Sequence, residues 1–269
     1  MAWPSATFMD WKHFLHFASH LTVGSPAQVS YAFRGQADAK WSLQPSLLRH
    51  LKPGVSPEEA LRVEDRLLRS FQSQAHLHIG PSLVNLTSLL FDWWALMQHH
   101  GAPTRLLDWT ASPFVAAYFA VEQLWDRDGA IWFVHVKDLR NQMVTQFGDV
   151  YQKQEPALSS YFRDPKAQAS LQPWFPRRMS ERMLAQQGFF LMSPQVIADH
   201  EVMIDDACHG VAASGDVYQK VVVPRTVKPD FLRMLRSMNI AASSLFPGID
   251  GLGRMLTELA RLETYFPET

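Results

Sequence analysis

Arg34 ends a largely apolar stretch, Val29-Ser30-Tyr31-Ala32-Phe33, and is followed at once by Gly35 and Gln36. A guanidinium at the end of a strand presents a permanent charge and a rigid fork of donors, an arrangement suited to phosphate. Its other common use is to hold a carboxylate of its own chain, such as Asp108. A second dense segment runs from Gln98 to Pro113. There Gln98, His99, His100, Thr104, Arg105, Asp108, Thr110 and Ser112 crowd with Trp109 into sixteen positions between two apolar stretches. Loops this rich in functional groups are where binding concentrates. Histidine titrates near neutral pH and suits acid–base work. Thr110 or Ser112 is placed to cap a helix beginning near Pro113, whose free first-turn amides suit a phosphate. The competing use of the whole segment is to cap helices and satisfy buried backbone.

Several chemistries lack their residues. His99 and His100 are adjacent, so on a helix they point about 100° apart and are poorly placed to share a metal. No His-Glu-x-x-His pattern occurs, and Cys208-His209 has no partners at ligand spacing, so no metal is expected. Ser112 has no Gly-x-Ser-x-Gly context, and Cys208 lies in Asp205-Asp206-Ala207-Cys208-His209-Gly210 without a nucleophile motif. The glycine patterns of P-loop NTPases and dinucleotide-binding dehydrogenases are missing as well.

Composition narrows the class. The 269 residues suffice to bury roughly 75% of the unfolded surface in one core. The 25 basic and 26 acidic residues nearly cancel, leaving no overall field to gather nucleic acid or anionic lipid. Cys208 is the only cysteine, which fits a reducing cytoplasm. No apolar run approaches the roughly 18 residues of a membrane span, and Met1 to Trp11 has no basic segment followed by an apolar one, so neither membrane insertion nor export is expected.

The elements that would position the polar residues are legible from spacing. Asp10 caps a helix through Trp11, Phe14, Leu15 and Phe17. Val29 to Arg34 alternates like a strand and stops at Gly35. Ser56-Pro57-Glu58-Glu59 opens a helix carrying Leu61, Val63, Leu67, Leu68 and Phe71. Helices are expected over Leu89 to His99 and Ser112 to Leu124, separated by Gly101-Ala102-Pro103 and a compact polar link, Thr104 to Thr110. Ala130 to Val136, Gly188 to Met192 and Tyr218 to Val223 read as strands. Asp230 to Met238 and Asp250 to Glu263 read as helices, the last with Leu252, Met255, Leu256, Leu259 and Leu262 along one face. Residues 141–178, punctuated by four prolines, read as an insertion or lid outside the central sheet. The expected fold is α+β: a single domain with a small central mixed or antiparallel sheet flanked by helices.

Taken together, Tyr31-Ala32-Phe33-Arg34-Gly35-Gln36, Trp41 to Arg49, Gln98 to Thr110, Gln186-Gln187-Gly188-Phe189-Phe190 and Ser244 to Leu252 resemble the FRG domain family, named for the Phe-Arg-Gly found here at 33 to 35. The resemblance covers about 28–255. It implies an N-terminal helical segment over 1–27, the FRG domain over 28–255, and the end of a helix with a tail over 256–269. More distantly, the Arg-Gly strand, the Thr/Ser element leading into Pro113 to Ala120 and a later strand with a polar neighbour are similar in order to ADP-ribosyltransferases.

That second resemblance implies NAD as substrate. Arg34, beside Gly35 and Gln36, would bind the pyrophosphate; Thr110 or Ser112 would shape the pocket; and Trp109 or an aromatic from another segment would stack. Apart from that resemblance, Arg105 is a further substrate-binding candidate, an arginine suited to an anion such as phosphate. The glutamate of that superfamily has no direct counterpart, because Gln186 and Gln187 stand near Gly188, so Glu181, Glu201 or Asp108 would have to supply the carboxylate. The leading reading is an NAD-binding ADP-ribosyltransferase or NAD-cleaving enzyme, a toxin or phage-defence effector acting on a macromolecular acceptor. One alternative is a non-catalytic module binding a nucleotide, a nucleic-acid end or a peptide. Another is a phosphodiesterase or nuclease using His99, His100, Arg105 and Asp108.

Overall fold

A computed structural model describes residues 3–22, 29–78, 89–176, 179–209 and 217–266. Residues 1–2 and 23–27 of the expected N-terminal segment, 177–178 of the expected lid and 267–269 of the tail lie outside the described residues. The strands are β1 (Ser5–Thr7), β2 (Tyr31–Gln36), β3 (Leu107–Thr110), β4 (Gly129–His135), β5 (Gln172–Trp174), β6 (Gly188–Met192) and β7 (Tyr218–Val223). They form one mixed sheet in the order β1-β7-β4-β2-β3-β6-β5, parallel between β1 and β7 and antiparallel elsewhere. The helices, in chain order, are α1 (Trp11–Thr22), α2 (Ser46–His50), α3 (Pro57–Ala75), α4 (Leu90–His99), α5 (Pro113–Val121) and α6 (Val136–Phe147). They continue with α7 (Ala157–Tyr161), α8 (Glu181–Ala185), α9 (His200–Cys208), α10 (Lys228–Ser237), α11 (Ala242–Leu245) and α12 (Ile249–Tyr265). This is the α+β arrangement that the sequence indicates.

Both faces of the sheet are covered. Phe33, Ile131, Phe133, Val221 and Val223 pack on one side against α1, α5 and α10. Ala32, Leu107, Trp109, Trp132, Val134 and Leu191 pack on the other against α6 and α9. That double covering explains why β4 is buried along nearly all of its length and reads as a continuous apolar run. A further cluster joins Leu68 of α3, Trp94 and Met97 of α4, Phe162, and Phe190 and Met192 of β6.

Local chemistry sets the ends of the elements around the site. Ser56 caps α3, its side chain accepting from the Glu59 amide at 3.2 Å. Ser112 caps α5 by accepting from the Val115 amide at 3.3 Å, with Pro113 in the first turn. The backbone turns after α4 through Gly101, whose φ of 79° a side chain would disfavour.

Three expectations change. The polar link before α5 contains β3, because Leu107 and Trp109 point into the core while β3 pairs with β6 over four residues. Residues 141–178 do not all lie outside the sheet, since Gln172–Trp174 pairs with β6 at its edge. The apolar face of α12 is divided: Met255 and Leu262 pack on the core, whereas Leu252 and Leu256 are 44% and 56% exposed.

One feature of the sheet creates the site. Every residue of β2 pairs with β4, but toward β3 the ladder is a single position, Phe33 opposite Thr110. The sheet therefore parts between β2 and β3 just where Arg34 and Gly35 follow.

Candidate functional site

The parting opens into a cleft of about 230 Å³. Its walls come from β2 (Phe33, Arg34, Gly35), β3 (Asp108, Trp109, Thr110), α4 (Ala95, Gln98, His99), α5 (Phe119), α8 (Arg182, Met183), Gln186, and β6 (Gly188, Phe189, Phe190). Of the residues named from sequence, it gathers Arg34, Gly35, His99, Asp108, Trp109, Thr110 and Gln186.

Arg34 extends across the parting and donates from Nη1 to the Asp108 carbonyl at 2.6 Å. Its Nε is buried and has no hydrogen-bond partner among the described residues. Burial lowers its pKa, Asp108 opposes that shift and Arg49 adds to it. Trp109, 2% exposed, likewise keeps its Nε1 buried and unpartnered among the described residues. Two unpaired donors beside one cleft are costly unless something there accepts from them.

Asp108 is oriented by a relay. Thr104 Oγ1 donates to Gln98 Oε1 at 2.7 Å, which fixes the amide so that Gln98 Nε2 donates to Asp108 Oδ2 at 2.7 Å. The carboxylate side chain itself is exposed to the cleft. Among the described lining residues it is the only carboxylate. His99 is held below its ordinary pKa by burial, then by His100 and Arg182, so its imidazole is neutral at pH 7. Arg182 stands over Phe246 with its guanidinium carbon 4.8 Å from the ring centroid. Burial also lowers its pKa, with Asp108 opposing that shift and Arg254 adding to it.

A second cleft of about 440 Å³ adjoins the first through His99 and Arg182, which line both. It contains His100, Ser180, Glu181, Phe246, Pro247, Asp250 and Arg254. His100 and Glu181 thus belong to this second compartment rather than to the first.

Other sequence candidates have structural work instead. Arg105 is 1% exposed, with Nε donating to Glu64 at 2.8 Å, Nη2 also bound to Glu64, Nη1 donating to the Pro194 carbonyl at 2.6 Å, and its carbon 4.6 Å over Trp94. The expectation of an anion contact there is corrected: the charge is already satisfied by Glu64. Gln36 is buried between the Ser42 carbonyl and Trp132 Nε1, and lines neither cleft. Ser112 caps α5 away from both clefts. Thr110 lines the first cleft, but its hydroxyl donates to the Gln186 carbonyl at 2.7 Å and accepts from the Ser112 amide at 3.0 Å. Gln186 donates from Nε2 to the Leu245 carbonyl at 3.0 Å. Glu201 accepts from the Leu43 amide at 3.3 Å and lines neither cleft.

Sequence reasoning missed Arg182 as a site residue. It lies alone in a short helix, and its aromatic support, Phe246, comes from sixty-odd positions later. Gln98 was within the dense segment, but its hold on Asp108 required the fold. Among the described residues no group of three or more His, Cys, Asp or Glu is placed to hold a metal ion, and no helix is long and apolar enough to cross a membrane.

In comparison with known families, residues 29–129 match the FRG domain. The match covers Arg34, the α4 wall and Asp108 to Phe119; Arg182 and the β6 wall lie beyond it. No curated protein and no solved structure matches the chain.

Proposed function

We propose that the cleft between β2 and β3, formed in part by residues 29–129 that match the FRG domain, binds a nucleotide, with NAD as its substrate. One observation carries this reading. Arg34 and Arg182 line one aromatic-walled cleft where the buried donors Arg34 Nε and Trp109 Nε1 have no protein acceptor among the described residues. Guanidinium groups suit phosphate oxygens, and Trp109, Phe119, Phe189 and Phe190 give a planar base a surface to lie on. Asp108 is then the carboxylate nearest the chemistry. When nicotinamide leaves with the electrons of the N-glycosidic bond, positive charge grows on the ribose. A carboxylate beside it favours that transition state, and can take the proton of the attacking hydroxyl.

The test is calorimetry and nicotinamide release with NAD, comparing wild type, Arg34→Gln and Asp108→Asn. Binding lost in Arg34→Gln, with turnover lost but binding kept in Asp108→Asn, is expected. No binding of NAD or ADP-ribose to the wild type would sink the reading. A second reading, binding without turnover, is favoured by the position of Gln186, an uncharged amide engaged by Leu245 where a second acid would otherwise stand. Tight binding with no nicotinamide release, even when acceptor proteins are supplied, would select it.

A further inference from the structure

Phe246 carries two cations. Arg182 lies 4.8 Å and Arg254 4.2 Å from its ring centroid, and Arg254 adds to the lowering of the Arg182 pKa that burial causes. Arg254 follows Asp250 by one turn of α12, the spacing of an i,i+4 ion pair. Yet among the described residues neither arginine has a carboxylate within 4.0 Å. Glu122 lies within electrostatic reach of Arg254, but its carboxyl is pushed above its ordinary pKa by burial and is bound by the Tyr118 hydroxyl at 3.2 Å. Two like charges gathered over one ring, each without an ion-pair partner, make a seat for a shared anion.

A second, independent feature points the same way. The seventeen-residue helix α12 begins at this cleft, with Pro247 and Asp250 in its lining. Its cap is Gly248, at φ 92°, which gives the first-turn amides no side-chain acceptor. Uncapped amides and the positive end of a long helix attract a phosphate. The carboxylates of Glu181 and Asp250 also line the cleft and oppose an anion.

We propose that this second cleft seats a phosphoryl group, held by Arg182, Arg254 and the start of α12. The ligand is then a nucleotide with at least two linked phosphates, its ring in the first cleft and its phosphate chain crossing Arg182. This rests on the nucleotide reading of the first cleft.

The experiment titrates AMP, ADP and inorganic pyrophosphate into wild type, Arg254→Gln and Arg254→Lys. Arg254 is exposed, so the variants should melt with the wild type. AMP is expected to bind wild type and Arg254→Gln alike. ADP should bind the wild type more tightly than AMP and lose about tenfold in Arg254→Gln, with Arg254→Lys between, as for one charge-assisted contact. Equal ADP affinity in wild type and Arg254→Gln would overturn the proposal. If AMP fails to bind the wild type, the nucleotide reading falls separately, and pyrophosphate decides the second cleft. Weaker pyrophosphate binding in Arg254→Gln would then keep the phosphoryl seat, and unchanged or absent binding would remove it.

Discussion

A methyl group on residue 35 would sit 1.9 Å from the Ala116 carbonyl oxygen and 2.8 Å from the Ala120 amide. Both are backbone atoms of α5, which crosses the strand there, so Gly35→Ala must push the helix off the sheet. The glycine of the Phe-Arg-Gly motif is therefore demanded by helix packing, although it also lines the cleft. Overpacking of this kind costs about 1–3 kcal/mol or more, and the melting temperature of Gly35→Ala should fall by several degrees. A variant as stable as wild type would mean that α5 shifts without cost. His99 makes a pH-dependent contribution in the same cleft. Its pKa is depressed below 6.5 by burial, His100 and Arg182, so it is neutral at pH 7 and becomes a further cation only in more acidic solution. The diphosphate of ADP-ribose keeps its charge over this range, so its affinity should rise severalfold as pH falls from 7 to 5, and His99→Gln should remove the rise. Equal pH profiles for the two proteins would place His99 outside the anion's reach.

At the scale of elements, Arg105 ties three of them together: α3 through Glu64, α4 through Trp94, and the segment after β6 through the Pro194 carbonyl. Truncating one member of a buried pair strands the other charge, at about 3–5 kcal/mol. Arg105→Ala should therefore lower the urea midpoint far more than Arg34→Ala, whose residue sits at an open cleft; similar losses would contradict the structural assignment. The sequence disclosed α3 through Ser56-Pro57, and β6 and β7 through their apolar runs, with the same bounds for both strands. It hid β3, because only Leu107 and Trp109 mark the alternation and their polar neighbours suggest a loop. It brought Arg34, His99 and Asp108 to one place, since their segments carry the polar density. Arg105 looked like a ligand contact because its partner, Glu64, stands 41 positions earlier in a separate helix. Arg182 and Arg254 escaped for the converse reason: Phe246, which gathers them, is remote from Arg182, and nothing in its own motif points to a cation.

For the molecule as a whole, the site is linked to acid stability through His200. This residue opens α9, is 1% exposed, and has Nδ1 buried without a partner among the described residues. Burial, with Arg34 adding to it, lowers its pKa from 6.5 to about 3. The folded protein therefore keeps His200 neutral where the unfolded chain would bind a proton. A base depressed in this way contributes stability that is fully present above pH 6.5 and is lost as pH falls from there toward 3. Each pH unit in that window removes about 1.4 kcal/mol, so acidification from pH 7 to pH 5 should cost about 2 kcal/mol through this residue. Glu122 acts in the opposite sense, because its raised pKa lets the folded state gain a proton first. The difference between wild type and His200→Phe isolates the histidine. Urea unfolding of both at pH 7 and pH 5 should give a wild-type loss about 2 kcal/mol larger than that of the variant. Parallel losses would mean that water or a rearranged α9 lets the imidazole ionise in the folded state. Because the Arg34 charge contributes to the depression, Arg34→Gln should raise the pH at which the folded-state His200 imidazole ionises, as followed by NMR titration, whereas Arg254→Gln should leave it unchanged.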